Sequence, residues 1–217
     1  MGVRTVASVL VDSGGGGGGG EFDVDTWVPG KPDKLDDLSV RLRSFGTEVS
    51  LVALGVTTTR EAIESTSWSG DAATNFVAKL GALPERLYAI SEAYASVGVS
   101  VGNLAARARE LRAEARRAID ALIDARTAES AAETALDKAA GDWLSGLFTG
   151  DASALHDDLV RAQNELDAAR DTASGLISDL RLIARDYHDA CAECALAIDA
   201  AEPERLLDRD FLSLLIE

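Results

Sequence analysis

The fold turns on residues 33–66, "DKLDDLSVRLRSFGTEVSLVALGVTTTREAIEST". Leu35, Leu38, Leu42, Phe45, Val49, Val52, Val56 and Ile63 recur at alternating steps of three and four, with Thr59 filling the one gap. That spacing keeps one stripe of an α-helix apolar and sets up a seam for a second helix. Pro29 and Pro32 bar an earlier start, and Asp33 is a candidate N-cap. The stretch therefore predicts a first helix from Asp33 to Thr66.

Outward from it, the pattern pauses at "ESTSWSGDAATNF" (Glu64–Phe76) and restarts. Ala73, Phe76, Leu80, Leu83, Leu87, Ile90, Tyr94, Val97, Val101, Leu104, Ala108, Leu111, Ala115, Ala118 and Leu122 keep the same spacing, and Ala125 to Ala139 extend it. This predicts a second, very long helix. Pro84 removes a hydrogen bond inside it, and Gly98 and Gly102 weaken it; bending is expected at both places. Gly141, Gly146 and Gly150 mark "AAGDWLSGLFTGDAS" as a loop. A returning helix follows, with Leu155, Leu159, Ala162, Leu166, Ala169, Ala173, Leu176, Leu180, Ile183, Tyr187, Ala190, Cys194 and Ala197 as its seam, ending before Pro203.

The expected fold is all-α, built of elongated antiparallel helical hairpins with heptad packing; a compact four-helix bundle is the alternative. The expected segments are 1–27, an N-terminal piece with the glycine linker Gly14–Gly20; 28–140, the hairpin with its long second helix; 141–202, the loop and returning helix; and 203–217, a short amphipathic tail with Leu207, Phe211 and Leu214 on one side.

Charge narrows the partners. Lys and Arg number 21 against 37 Asp and Glu, a formal net charge of −16. Nucleic acid and anionic membrane surfaces are poor partners for such a chain. No apolar run approaches the ~20 residues of a membrane span, and "MGVRTVASVLVD" lacks a secretory cleavage pattern.

Three clusters bear on chemistry. His188, Cys191 and Cys194 are spaced by three, but a structural zinc wants four ligands. The other histidine, His156, lies about 48 Å away along the same helix. Cys194 reads instead as a seam residue with Cys191 near it, so neither metal nor cofactor is expected. Arg107, Arg109, Arg112, Arg116 and Arg117 alternate with acids and read as a solvated, ion-paired face, with a docking patch for an acidic partner as the lesser reading. Trp143, Leu147 and Phe148 place apolar bulk at the predicted loop, packed on helix ends or offered to a partner. No nucleophile stands beside a base, and the glycine run neither follows a strand nor opens a helix; no enzyme is expected.

At the turn, Ser69 or Asp71 can cap the second helix, Gly70 can admit a close approach of two helix ends, and Trp68 can cover the hairpin end. Those roles alone explain the residue types. Yet helix, Trp-x-Gly turn, helix resembles the small helical-hairpin substrates of type VII secretion systems. With "VPGKPDKL", "SWSGDAATNF" and "LGALPERLYAISEAY", the stretch from about Trp27 to Ala140 is similar to the N-terminal secretion-signal domain of actinobacterial polymorphic toxins. The resemblance implies a non-catalytic export-targeting domain that pairs with small helical-hairpin partners and is handed to a membrane secretion ATPase. It would be cytoplasmic before export and secreted afterwards, with a toxin domain usually following. Trp68 and Gly70 would be the turn motif. Tyr88 and Glu92 spell the family's Tyr-x-x-x-Asp/Glu export signal, nearer to the turn than the family places it. The reading from residues alone is a cytosolic coiled-coil scaffold or adaptor.

Overall fold

The computed structural model describes residues 20, 22–66, 68–149 and 152–201. Among them every regular element is an α-helix: α1 (Val24–Trp27), α2 (Pro32–Glu64), α3 (Asp71–Gly81), α4 (Leu83–Thr149) and α5 (Ala152–Ala201). The all-α expectation holds. The described chain divides into two units, one of residues 31–109 with 189–201, the other of residues 20–30 with 110–188.

The first unit pairs α2 with the opening part of α4. Pro32 occupies the first turn of α2, where its missing N–H costs nothing. Asp33 is therefore inside the helix and not its cap; Lys31 holds that place without a side-chain bond. The carboxylates of Asp33 and Asp36 instead accept from the Arg109 guanidinium on α4.

The seam of α2 departs from the expected one. Leu35, Leu42, Val49 and Val56 do face the core. The alternating column between them is Ser39, Gly46 and Ala53, all buried, and not Leu38, Phe45 and Val52. Those three lie on the flank, 39%, 42% and 57% exposed. Small side chains let the two backbones approach closely. A Cβ on Gly46 would stand 2.8 Å from the Ser91 carbonyl oxygen, and one on Gly98 3.0 Å from the Ser39 carbonyl oxygen. The Ser39 hydroxyl donates to the Gly98 carbonyl at 2.7 Å, a buried bond that fixes the register of the pair. Gly98 and Gly102 are thus contact points on a helix that runs unbroken through them.

The interruption lies earlier. α3 ends at Gly81, Ala82 keeps helical dihedrals (φ −86°, ψ −15°), and α4 starts at Leu83 with Pro84 in its first turn. Proline has no N–H to bond back and crowds the preceding turn, so the expected bend is a break between two helices.

In the second unit α4 and α5 form an antiparallel hairpin. Leu111, Ala115, Leu122 and Ala125 of α4 and Ala162, Leu166, Ala173, Leu180 and Tyr187 of α5 are buried, all at expected seam positions. Across the pair, Arg170 binds Glu129 (3.2 Å) and Glu133 (2.8 Å). Glu129 also accepts from Arg126, and these cations hold its carboxyl below the usual range, Arg126 most strongly. The expected loop at Gly141 is absent: α4 runs through Gly141, Trp143 and Gly146 to Thr149. A helical glycine costs about 1 kcal/mol relative to alanine, which the continuing apolar face around Trp143 and the buried Gly146 outweighs. Gly150 lies outside the described residues, as does the tail 203–217.

The "VPGKP" lead-in is also built. Asp23 caps α1 by accepting from the Asp25 N–H at 2.9 Å. Val28 is fully buried. The Arg112 guanidinium donates to the Val28 and Gly30 carbonyls (2.6 and 3.0 Å) and to the Asp25 carboxylate (2.6 Å).

Candidate functional site

The site with the strongest sequence signal is the α2–α3 connection. α2 ends because its hydroxyls compete for the last carbonyls: Ser65 donates to Ala62 O and Thr66 to Ile63 O, both at 2.7 Å. Gly70 then takes φ +107° and ψ 177°, a region that side chains strongly disfavour. A Cβ there would meet nothing within 4 Å. Glycine is therefore required by backbone conformation and not by the expected close approach of helix ends. Neither Ser69 nor Asp71 caps α3. Gly70 is the N-cap residue and no side chain bonds there, while Asp71 lies in the first turn, where its charge suits the helix dipole.

This turn aims Trp68 outward. Its side chain is 49% exposed, and its ring lies 5.7 Å from Phe76 at an interplanar angle of 55°. Beneath the pair, Ile63, Ala73, Thr74, Val77 and Ala78 line an open, largely apolar cleft, with Glu64 at its rim. Arg60 of its own helix pairs with that carboxylate at 3.7 Å. The described chain leaves half of a tryptophan and much of a phenylalanine to solvent at one end of the unit. Such an exposed aromatic pair can anchor a protein contact.

Tyr88 and Glu92 stand one turn apart on α4, both exposed. They share a face of that helix, whereas Trp68 belongs to the α2–α3 connection. Trp143 is half-buried near the end of α4 and Phe148 is 92% exposed, with Leu144 and Leu147 exposed beside it. The two aromatics therefore sit on a helix and not on a loop, and only Trp143 is packed.

Cys194 is buried among Val97, Val101 and Leu104. Burial, with Cys191 nearby, raises its thiol pKa and so reduces its thiolate. Among the described residues no three His, Cys, Asp or Glu side chains converge to hold a metal ion. No described helix is long and apolar enough to cross a membrane.

The arginine run proves more specific than a solvated face. Arg109 clamps α2 within the first unit and Arg112 holds the Val28–Gly30 turn in the second. Ser39, Gly46 and Arg112 carry no signal that a search for large apolar residues detects. The seven-residue spacing of small residues on α2 was the trace available in the sequence.

Comparison with known proteins gives one result. Residues 19–203 match the family described as "Putative T7SS secretion signal domain". No curated protein and no solved structure matches the chain. The match takes in both units, the Val-Pro-Gly lead-in and the exposed tryptophan turn, so the chain belongs to this family of type VII secretion signal domains.

Proposed function

We propose that the chain targets a type VII effector for export by pairing with small helical-hairpin partners and presenting the Trp68–Gly70 end to the membrane secretion ATPase. The observation that supports this reading is the half-exposed Trp68 over an apolar cleft, on a turn whose glycine fixes its direction. A residue kept only for packing would be covered by its own chain. Here the described residues leave about half of Trp68 uncovered, a surface that suits another protein. Tyr88 and Glu92, exposed on one face of α4, are the proposed export signal, and Phe148 a secondary contact. The effector's toxin domain and an actinobacterial source belong to the same proposal.

Trp68→Ala tests it. Its export should fall to background in a cell carrying the system, while helicity by circular dichroism stays at the parent level. Normal export of the variant would remove Trp68 from the signal. Tyr88→Ala, scored in the same assay, separates the second motif from the first.

A further inference from the structure

α2 carries a second seam, on the side turned away from the core. Val40, Ser44, Thr47, Leu51, Leu54 and Thr58 follow one another at alternating steps of four and three, and all six are exposed. They lie nearly opposite Leu35, Leu42, Val49 and Val56, which face the core. A helix face left to water ordinarily carries charge. Here residues 44–59 hold one charged side chain, Glu48, while Val40, Leu51 and Leu54 are each more than half exposed. Thr47 and Thr58 donate to the carbonyls of Arg43 and Leu54, both at 3.0 Å, so neither hydroxyl carries an unused proton into a contact.

We propose that this seam is the contact between two copies of the chain, packed antiparallel about a two-fold axis level with Val49. Size chooses this occupant. The antiparallel course sets Val40 against the second copy's Thr58, Ser44 against its Leu54 and Thr47 against its Leu51. The four inner layers then each join a leucine to a short hydroxylated side chain, and the two outer layers join valine to threonine. Both copies present the same patch, as an isologous contact requires. In a parallel pairing each residue would meet its own counterpart, leaving the Ser44 and Thr47 layers underfilled and the Leu51 and Leu54 layers crowded. Charge agrees. Residues 31–109 hold nine basic and nine acidic residues, so the whole net charge of −16 lies elsewhere in the chain. The two faces therefore meet without the self-repulsion that the full chain's charge would impose. Glu48 flanks the seam beside the axis and meets its own counterpart, which is a local cost. A single helix pair about 27 Å long covers less than the about 800 Å² per partner of a standard stable interface, so the association is reversible.

Single-cysteine chains test the contact. In the full chain with Cys191→Ala and Cys194→Ala, and with helicity matching the parent, Val40→Cys and Thr58→Cys are made separately. Each is oxidised alone and in an equal mixture. The mixture should form a linked dimer at least about tenfold faster than either alone, because the contact sets residue 40 against residue 58 and holds like residues about 27 Å apart. Faster linkage within either single variant overturns the antiparallel course, and equal rates throughout overturn the contact. Sedimentation equilibrium of the chain with native cysteines gives a second reading. The parent should show a concentration-dependent monomer–dimer equilibrium. Leu51→Asp with Leu54→Asp, both at exposed positions, should raise its dissociation constant at least about tenfold. Glu48→Gln should lower it. A parent that stays monomeric, or a dimer that the two aspartates leave intact, overturns the proposal. A dimer that Glu48→Gln loosens overturns the antiparallel course, since a parallel pair would set Glu48 beside Arg43. None of these measurements reads export or alters Trp68, so self-association and targeting stand or fall separately.

Discussion

The α2–α4 pair of the first unit and the α4–α5 pair of the second are both antiparallel helices with a three–four seam, yet they are closed by different means. In the second, leucines and alanines interdigitate, and Leu111, Leu122 and Leu180 are almost wholly removed from water. In the first, Ser39, Gly46 and Ala53 bring backbone close to backbone, a hydroxyl bonds a carbonyl, and several large side chains remain outside. Burial of apolar area holds both pairs; in the first, close approach and a register-fixing hydrogen bond are added to it. Large residues announce themselves in a sequence, whereas an interface made by the lack of side chains does not.

The comparison can be broken in order of expected effect. Leu122→Ala should cost the second unit about 2–5 kcal/mol, read from denaturant midpoints, because it leaves a cavity among fixed neighbours. Gly46→Ala should destabilise the first unit by about 1–3 kcal/mol, although alanine is the better helix former, because the added Cβ meets a backbone carbonyl that cannot rotate away. A stabilised Gly46→Ala chain would show that the helices can slide apart freely and would end the close-approach account. Ser39→Ala should cost about 1 kcal/mol and loosen register, seen as faster exchange of α2 amides with little effect beyond Glu110.

The smallest effect is electrostatic. The Glu129 carboxyl is depressed in the folded hairpin by Arg126 and Arg170. Its contribution is present above the ordinary glutamate pKa and is lost as pH falls through the depressed folded value. A urea midpoint followed from pH 7 to pH 3 should fall less in Glu129→Gln than in the parent. The difference should shrink in salt, since the site is on the surface.

These contrasts also explain what was legible. Every buried position of α5 from Ala162 to Cys194 fell on the expected seam, whereas on α4 Ala93, Ala105 and Ile119 are buried off it, Ile119 where Ala118 was expected. The α2 seam was half right: one column was correct, and the other was shifted by one residue toward larger side chains. Pattern reading rewards volume, and Gly46 has none. Glycine was misjudged once more: Gly141 and Gly146 were read as breakers, yet packing kept them helical. Gly98 and Gly102, read as weak points, are also where α2 rests. At the turn, the residues were identified but their reasons were not. Gly70 answers to φ and not to crowding, which only coordinates reveal.

The sequence by itself determined an all-α chain, the number and order of its long helices, a sharp turn at Trp68–Gly70 and the family resemblance carried by that turn. Periodicity and turn chemistry are local, and they act through neighbours three and four residues apart. Only the tertiary structure decided which column of α2 faces α4, that Arg109 and Arg112 serve as clamps, that the chain breaks at Ala82 between α3 and α4, that α4 runs on past Gly146, and that Trp68 stays half in solvent. Each of those depends on how closely two backbones approach and on which surface a third element covers, and neither is written in the spacing of residues along one chain.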